Sequence, residues 1–475
     1  MTEQTYDVVV IGGGPPGENA AGRVASHGLS AALVESELLG GECSFWACMP
    51  SKALLRSGEA LRAAKAVAGS AAAVTGDLDV AAVLKRRDSF AANWDDTGQV
   101  EWAEGAKITV VRGRARLDGS LRVVVSKEGA EDQVLLATHA VVLAVGSDSA
   151  FPPIDGLREA RPWTNREATS AKAAPERLAV LGGGPVGCEL AQAWNDLGSE
   201  VTLIVNGERL LPRLEPFAGE YVKEALTSYG IDVRTSANVK SARRDGDGPT
   251  TLTFEDGSEL EADAVLVATG RSPRTNDLGL ATAGLKDGDW VDIDDSCRVK
   301  GVEGGWLYAV GDVNHRALLT HMGKYQARIC GDAITARSKG DHAMPVKWSP
   351  YAATANNGYV PAVVFTDPQV ASVGLTEAEA EDKGMSVRAV EYEVGNTAGG
   401  SLHADGYKGL AKMVVDQERL VIVGFTIVAP DAGDHLHAAT IAVVGEVPLD
   451  RLWHAVPSFP TVSEVWLRLL ETYGM

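Results

Sequence analysis

Two cysteines five positions apart, Cys43 and Cys48, sit in the segment Gly40-Gly41-Glu42-Cys43-Ser44-Phe45-Trp46-Ala47-Cys48-Met49-Pro50-Ser51-Lys52. A thiol pair this close can cycle between dithiol and disulfide, hold a metal, or simply be buried. Read as one helix, the segment puts the cysteines more than a turn apart. They can then meet only near a helix start or a distortion, for which Pro50 is the candidate. A thiol near a helix N-terminus has a lowered pKa and a larger thiolate fraction, as redox chemistry needs. No other Cys/His cluster lies nearby in sequence to complete a zinc site, which favours the redox reading. The other three cysteines, Cys188, Cys297 and Cys330, are expected to be buried thiols.

A second chemistry is written in glycine. Gly12-x-Gly14-x-x-Gly17 follows the apolar run Val8-Val9-Val10-Ile11, opens a helix to about His27, and is followed by a strand ending at Glu35. This is the dinucleotide fingerprint with all its parts. Glycines make the tight turn and the close approach to a pyrophosphate, the helix N-terminus faces the phosphates, and an acid about twenty residues on reads a ribose hydroxyl. About 170 residues later the layout returns with Gly182, Gly184 and Gly187 between the strands Leu178–Leu181 and Val201–Val205. The second strand ends in Val205-Asn206-Gly207-Glu208-Arg209, with no carboxylate at the ribose-reading position. Arg209 is at hand for a 2′-phosphate, so this site reads towards NADPH, with NADH close behind.

The remaining elements must hold these sites in place. Buried strands ending in glycine recur at Val265–Gly270 and Leu307–Gly311, and the second is followed by a helix from about Leu319 to Arg337. Ile108 to Val125 and Val134 to Val145 alternate like antiparallel and sheet-returning strands, and Phe151-Pro152-Pro153 marks a linker. Beyond Pro345 the chain becomes strand-rich, with two helices. The 475 residues suit about three domains. A formal charge of -20 disfavours nucleic acid and anionic membranes as partners. No apolar run is long enough to span a bilayer, and Met1-Thr2-Glu3-Gln4-Thr5 lacks a basic signal-type region, so the expected setting is cytoplasmic. An odd cysteine count fits that reducing compartment.

With these motifs in order, the chain resembles the flavoprotein disulfide reductases, the family of glutathione reductase, dihydrolipoamide dehydrogenase and mercuric reductase. The residues that carry the resemblance are Gly12 to Glu35, Cys43-x4-Cys48-x-Pro50-Ser51-Lys52, Gly182 to Glu189, Ala268-Thr269-Gly270-Arg271 and Gly311-Asp312. It continues through Phe365-Thr366-Asp367-Pro368, Val373-Gly374-Leu375-Thr376-Glu377 and Pro460-Thr461-Val462-Ser463-Glu464. The resemblance implies an α/β homodimer with two Rossmann-like domains and a C-terminal α+β dimerisation domain. The divisions expected are 1–150 for FAD with the cysteines, 151–270 for NAD(P), 271–346 returning to FAD, and 347–475 for the interface. It implies that Gly12, Gly14, Gly17, Glu35, Gly146, Asp312 and His321 serve FAD, with Asp312 on the ribityl chain and the helix start near Leu319–Met322 at the pyrimidine edge. Gly182, Gly184, Gly187, Arg209 and Gly270 would serve the nicotinamide coenzyme. Lys52 and Glu189 correspond to the family's ion pair beside flavin N5, Cys48 to the charge-transfer thiol and Cys43 to the interchange thiol.

Departures matter as much. Family disulfide reductases carry a histidine directly before Pro-Thr, paired with a glutamate five residues on; here Phe459 takes that place and only Glu464 remains. Losing a positioned base costs about 10²–10⁴-fold in proton-coupled thiol exchange. His454 is a candidate substitute. Phe45 and Trp46 put two bulky rings between the cysteines, either crowding the pair or packing into a local core. Pro185 stands where some members gate the nicotinamide with tyrosine. His435 and His437 have metal-ligand spacing for a strand but sit in a helical stretch, where they would diverge, and Trp94 and Trp102 are expected in the core. Three readings compete. The first is an FAD-dependent NAD(P)H oxidoreductase reducing a small-molecule or protein disulfide. The second is a quinone, dye or metal-ion reductase, for which the N-terminal metal-binding domain and C-terminal cysteine pair of typical mercuric reductases are not expected here. The third is a redox-sensing flavoprotein.

Overall fold

The computed structural model describes residues 2–475, and the chain divides into two compact units. The first comprises residues 2–50, 88–149 and 271–357. Its sheet has the order Ile108–Arg112, Ala31–Glu35, Thr2–Ile11, Gln133–Leu143, Arg122–Ser126, Arg114–Leu117, and Leu307–Ala309 also pairs with Gln133–Leu143. The strands from Ile108–Arg112 to Gln133–Leu143, and Leu307–Ala309, are parallel. Only the last two strands are antiparallel, so Ile108–Arg112 belongs to the parallel part, where the sequence pattern suggested an antiparallel strand. Val8, Val9 and Val10 are all fully buried, as a strand covered on both faces requires. Each such valine contributes about 1.5–3 kcal/mol through burial.

The helices Pro15–Ser26 and Thr320–Ser338 pack together beside this sheet. Close approach needs glycine: a Cβ on Gly323 would lie 2.7 Å from Pro16 Cγ, and one on Gly331 2.7 Å from Arg23 Cβ. Arg23 then closes a two-pronged ion pair with Asp332, at 2.6 and 2.9 Å. Trp102 is 46% exposed, against the expectation of a core residue; its ring only edges against Gly22. Trp94 is half-buried, in a left-handed backbone conformation.

The second unit comprises residues 51–87, 150–270 and 358–475. Asp232–Arg234, Glu200–Ile204, Arg177–Leu181 and Ala264–Val267 form a four-stranded parallel sheet, and the helix Pro185–Asp196 leaves its third strand through the second glycine turn. A separate antiparallel sheet runs Pro361–Val364, Gln369–Gly374, Val421–Ala429, Leu410–Asp416, Val387–Glu393. The helices Ala432–Val444 and Val465–Tyr473 bury their apolar sides in its core. Cys188 in this unit and Cys297 and Cys330 in the first are fully buried, as expected. Among the described residues, no helix is long and apolar enough to cross a membrane.

Candidate active site

In the first unit the cysteine segment is not one helix. Gly41–Phe45 forms a short helix, the chain leaves helical geometry at Trp46 (φ -137, ψ 8), and a new helix starts at Cys48 and runs to Lys65. The break that brings the cysteines together therefore falls at Trp46, and Pro50 sits harmlessly in the first turn of the next helix, where its missing N–H has no partner to lose. The Cys43 thiol is hydrogen-bonded to Cys48, and that bond, with burial and the neighbouring sulfur's charge, raises its pKa; Thr320 and Lys324 pull the other way. Cys48 Sγ lies 3.3 Å from Thr320 Oγ1, at the start of the helix Thr320–Ser338. Phe45 is fully buried and meets the half-buried Trp46 with the rings tilted at 58° and their centroids 5.7 Å apart, so Phe45 is core and only Trp46 has surface near the pair.

Around the first fingerprint the geometry is that of a pyrophosphate cradle. Gly12 has φ +103, and a Cβ there would sit 2.4 Å from Ala144 O; one on Gly17 would sit 1.9 Å from Gly12 O. A Cβ on Gly14, the close-approach position, would meet nothing nearer than 3.9 Å, so the turn is open where a ligand's phosphates would come. Glu35 accepts from Gly13 N at 2.7 Å. Gly146 has φ +74, and Asp312 Oδ2 accepts from Ser147 Oγ at 2.6 Å. Buried Gln326 holds the turn before Asp312, accepting from Gly311 N at 2.9 Å. His321 is exposed in the first turn of its helix. These residues fit FAD.

In the second unit the other fingerprint repeats the arrangement. A Cβ on Gly187 would lie 1.9 Å from Gly182 O, while Gly184 faces open space. Arg209 is half-buried and donates to Pro212 O at 2.8 Å, and Gly270 O accepts from Ala150 N at 3.0 Å. Lys52 Nζ pairs with Glu189 Oε2 at 2.6 Å, Glu189 Oε1 accepts from Phe365 N at 2.9 Å, and the Phe365 ring lies under Lys52 at 4.9 Å. The strap carrying Phe365 is fixed by Asp367, whose N–H donates to buried Gln192 at 2.8 Å and whose carboxylate takes Arg62 Nε. Arg62 also binds Asp196, whose pKa burial raises against the pull of Arg62.

Phe459 is 76% exposed, with Val456 at 84%. Glu464, the partner of the family's histidine, is buried; it accepts from Arg468 Nη2 at 2.7 Å and from Ala398 N at 3.3 Å. His454 is exposed. His435 and His437 lie on the helix Ala432–Val444, and no group of three metal-binding side chains forms among the described residues. Thr320, Glu42 and the Arg62–Asp367–Gln192 support were invisible in sequence, because each joins its partners across long stretches of chain.

Residues 6–337 match the family model for pyridine nucleotide-disulphide oxidoreductases, and residues 360–469 match the dimerisation domain of the same family. A dihydrolipoyl dehydrogenase of Thermus scotoductus is 32% identical over 474 residues, covering 98% of this chain and 97% of that one. A mercuric reductase of Lysinibacillus sphaericus is 29% identical over 473 residues, covering 98% and 82%. Among solved structures, the HOCl-induced flavoprotein disulfide reductase RclA of Escherichia coli, as its Cu(II) complex, aligns with TM-score 0.83 at 22% identity, covering 98% of this chain and 99% of that one, a likeness of fold. The chain belongs to the pyridine nucleotide-disulphide oxidoreductase family, whose members are enzymes that use FAD and NAD(P)H.

Proposed function

We propose that this enzyme passes an electron pair from NADPH, or less readily NADH, through FAD to a Cys43–Cys48 disulfide, and from the resulting dithiol to a disulfide substrate. The carrying observation is the Cys43–Cys48 contact with Thr320 against the second sulfur. When bound, FAD supplies the two-electron carrier between nicotinamide and disulfide. Gly12, Gly14, Gly17 and Glu35 hold its adenosine half, Asp312 and Gly146 its middle, and His321 lies by the helix start at its far end. Gly182, Gly184, Gly187, Gly270 and Arg209 hold the coenzyme. Lys52, held in place by Glu189, orients the flavin edge that receives hydride. Cys48 keeps its sulfur against Thr320 as a thiolate, and Cys43 attacks the substrate. The C-terminal domain pairs two copies, and the partner's Phe459 would present a ring to the substrate.

Because that ring cannot carry a proton and Glu464 is occupied by Arg468, small polar disulfides should be poor substrates. A second reading, reduction of a quinone, dye or metal ion, draws support from the same exposed Phe459 and from the likeness to mercuric reductase. Cys43→Ser separates the two. Loss of disulfide turnover with dye reduction retained supports the dithiol as the route to disulfides; persistence of disulfide turnover in this variant removes it.

A further inference from the structure

Glu42, immediately before Cys43, makes contacts that reach well beyond the cysteines. Its Oε1 accepts from Arg274 Nη2 at 2.9 Å, and its Oε2 lies 3.6 Å from Arg271 Nη2. Arg274 also pairs with Asp148. Arg271 Nε donates to Ser147 Oγ at 2.9 Å, and Ser147 Oγ in turn donates to Asp312 Oδ2 at 2.6 Å. A charged chain therefore runs from the residue beside the interchange thiol to the carboxylate assigned to the flavin's ribityl chain. The short helix carrying Glu42 also rests on the nucleotide turn: a Cβ on Gly41 would lie 2.8 Å from Gly14 Cα. Gly40 and Gly41, both at positive φ, form the joint on which that helix can pivot. The Glu42 side chain is 18% exposed and that of Arg271 24%, so water screens these pairs only partly.

We propose that Glu42 is a positioning residue that couples the redox state of the Cys43–Cys48 pair to the grip on FAD, acting through Arg271, Ser147 and Asp312. Reduction breaks the S–S bond with two electrons drawn from NAD(P)H by way of FAD; the Cys43 sulfur takes up one proton and the Cys48 sulfur is left as the thiolate. With the disulfide open, Glu42 holds the arginines, Ser147 holds Asp312, and the flavin is retained. Closing the disulfide draws Cys43 towards Cys48, carries Glu42 with it, and slackens the chain. Linkage makes the effect reciprocal: bound FAD favours the dithiol by the same factor. The inference rests on the assignment of Asp312 to FAD and is independent of the final electron acceptor.

The test follows FAD release from the holoenzyme, as flavin fluorescence on dilution, in the oxidised form and in the dithiol form held anaerobically by dithiothreitol. Wild type should release FAD about fivefold more slowly in the dithiol form, the low end of site-to-site coupling. Glu42→Gln should release it at one rate in both forms. Ser147→Ala should do the same with Glu42 intact, and carries the test if the first variant does not fold. Equal rates in wild type, or a difference that survives in Glu42→Gln or, where that variant does not fold, in Ser147→Ala, overturns the coupling. Asp312→Asn should speed release in both forms; if it does not, the assignment of Asp312 to FAD has failed and the inference falls with it.

Discussion

Replacing Thr320 by valine keeps the shape of the side chain and removes only the hydroxyl that touches Cys48 Sγ at 3.3 Å. That hydroxyl is also one of two influences that lower the Cys43 thiol, Lys324 being the other, against the hydrogen bond to Cys48 and burial, which raise it. A hydrogen bond to a charged group contributes about 1.5–3 kcal/mol. Both side chains are only half-buried, so the lower end applies, about 1.5 kcal/mol, or roughly tenfold in an equilibrium constant. The sign is fixed: with one lowering influence gone, the thiolate of the pair appears at higher pH. Alkylation of Cys43 by iodoacetamide in anaerobically reduced holoenzyme should therefore be about tenfold slower near pH 7. It should converge on the wild-type rate at high pH, and Thr320→Ser should restore most of it. If Thr320→Val is alkylated as fast as wild type at neutral pH, the hydroxyl does not set the thiolate and the reasoning fails.

Other perturbations probe the remaining parts. Phe459→His should raise turnover of lipoamide or another small disulfide by about tenfold or more, read as kcat/KM, because it returns a proton carrier to an exposed position; no gain would mean proton transfer is not the limiting step. Arg209→Ala should raise the KM for NADPH about tenfold and leave that for NADH nearly unchanged; equal effects on both coenzymes would remove Arg209 from the phosphate. Gly17→Ala, whose Cβ would lie 1.9 Å from Gly12 O, should purify without bound flavin, and a normal flavin spectrum would contradict the cradle.

The parts of this molecule that were legible in sequence are those whose signal is local. A glycine turn between an apolar strand and a helix states its own geometry, which is why both fingerprints, Glu35 and the close cysteines could be placed before any coordinates. The break at Trp46 was harder, since Pro50 is the stronger kink former on paper yet lies in a first turn that tolerates it. Trp102 was misplaced because size and apolarity argue for burial, while its position on the outer side of the helix Thr97–Gly105 leaves nearly half of it in water. Thr320 meets Cys48 across 272 residues, Arg274 meets Glu42 across 232, and Phe365 meets Glu189 across 176. Such pairs carry no sequence period, so only the folded chain reveals that the cysteines, the nucleotide turn and the Asp312 segment are tied to one another.

The proposed relay requires that electrons reach the Cys43–Cys48 pair beside the flavin. Anaerobic titration of the holoenzyme with NADPH reads this directly through its visible spectrum. One equivalent should raise a long-wavelength absorbance from the Cys48 thiolate against oxidised flavin, and that band should be lost in Cys48→Ser. Simple bleaching of the flavin with no such band, and no gain in titratable thiols, would contradict the relay.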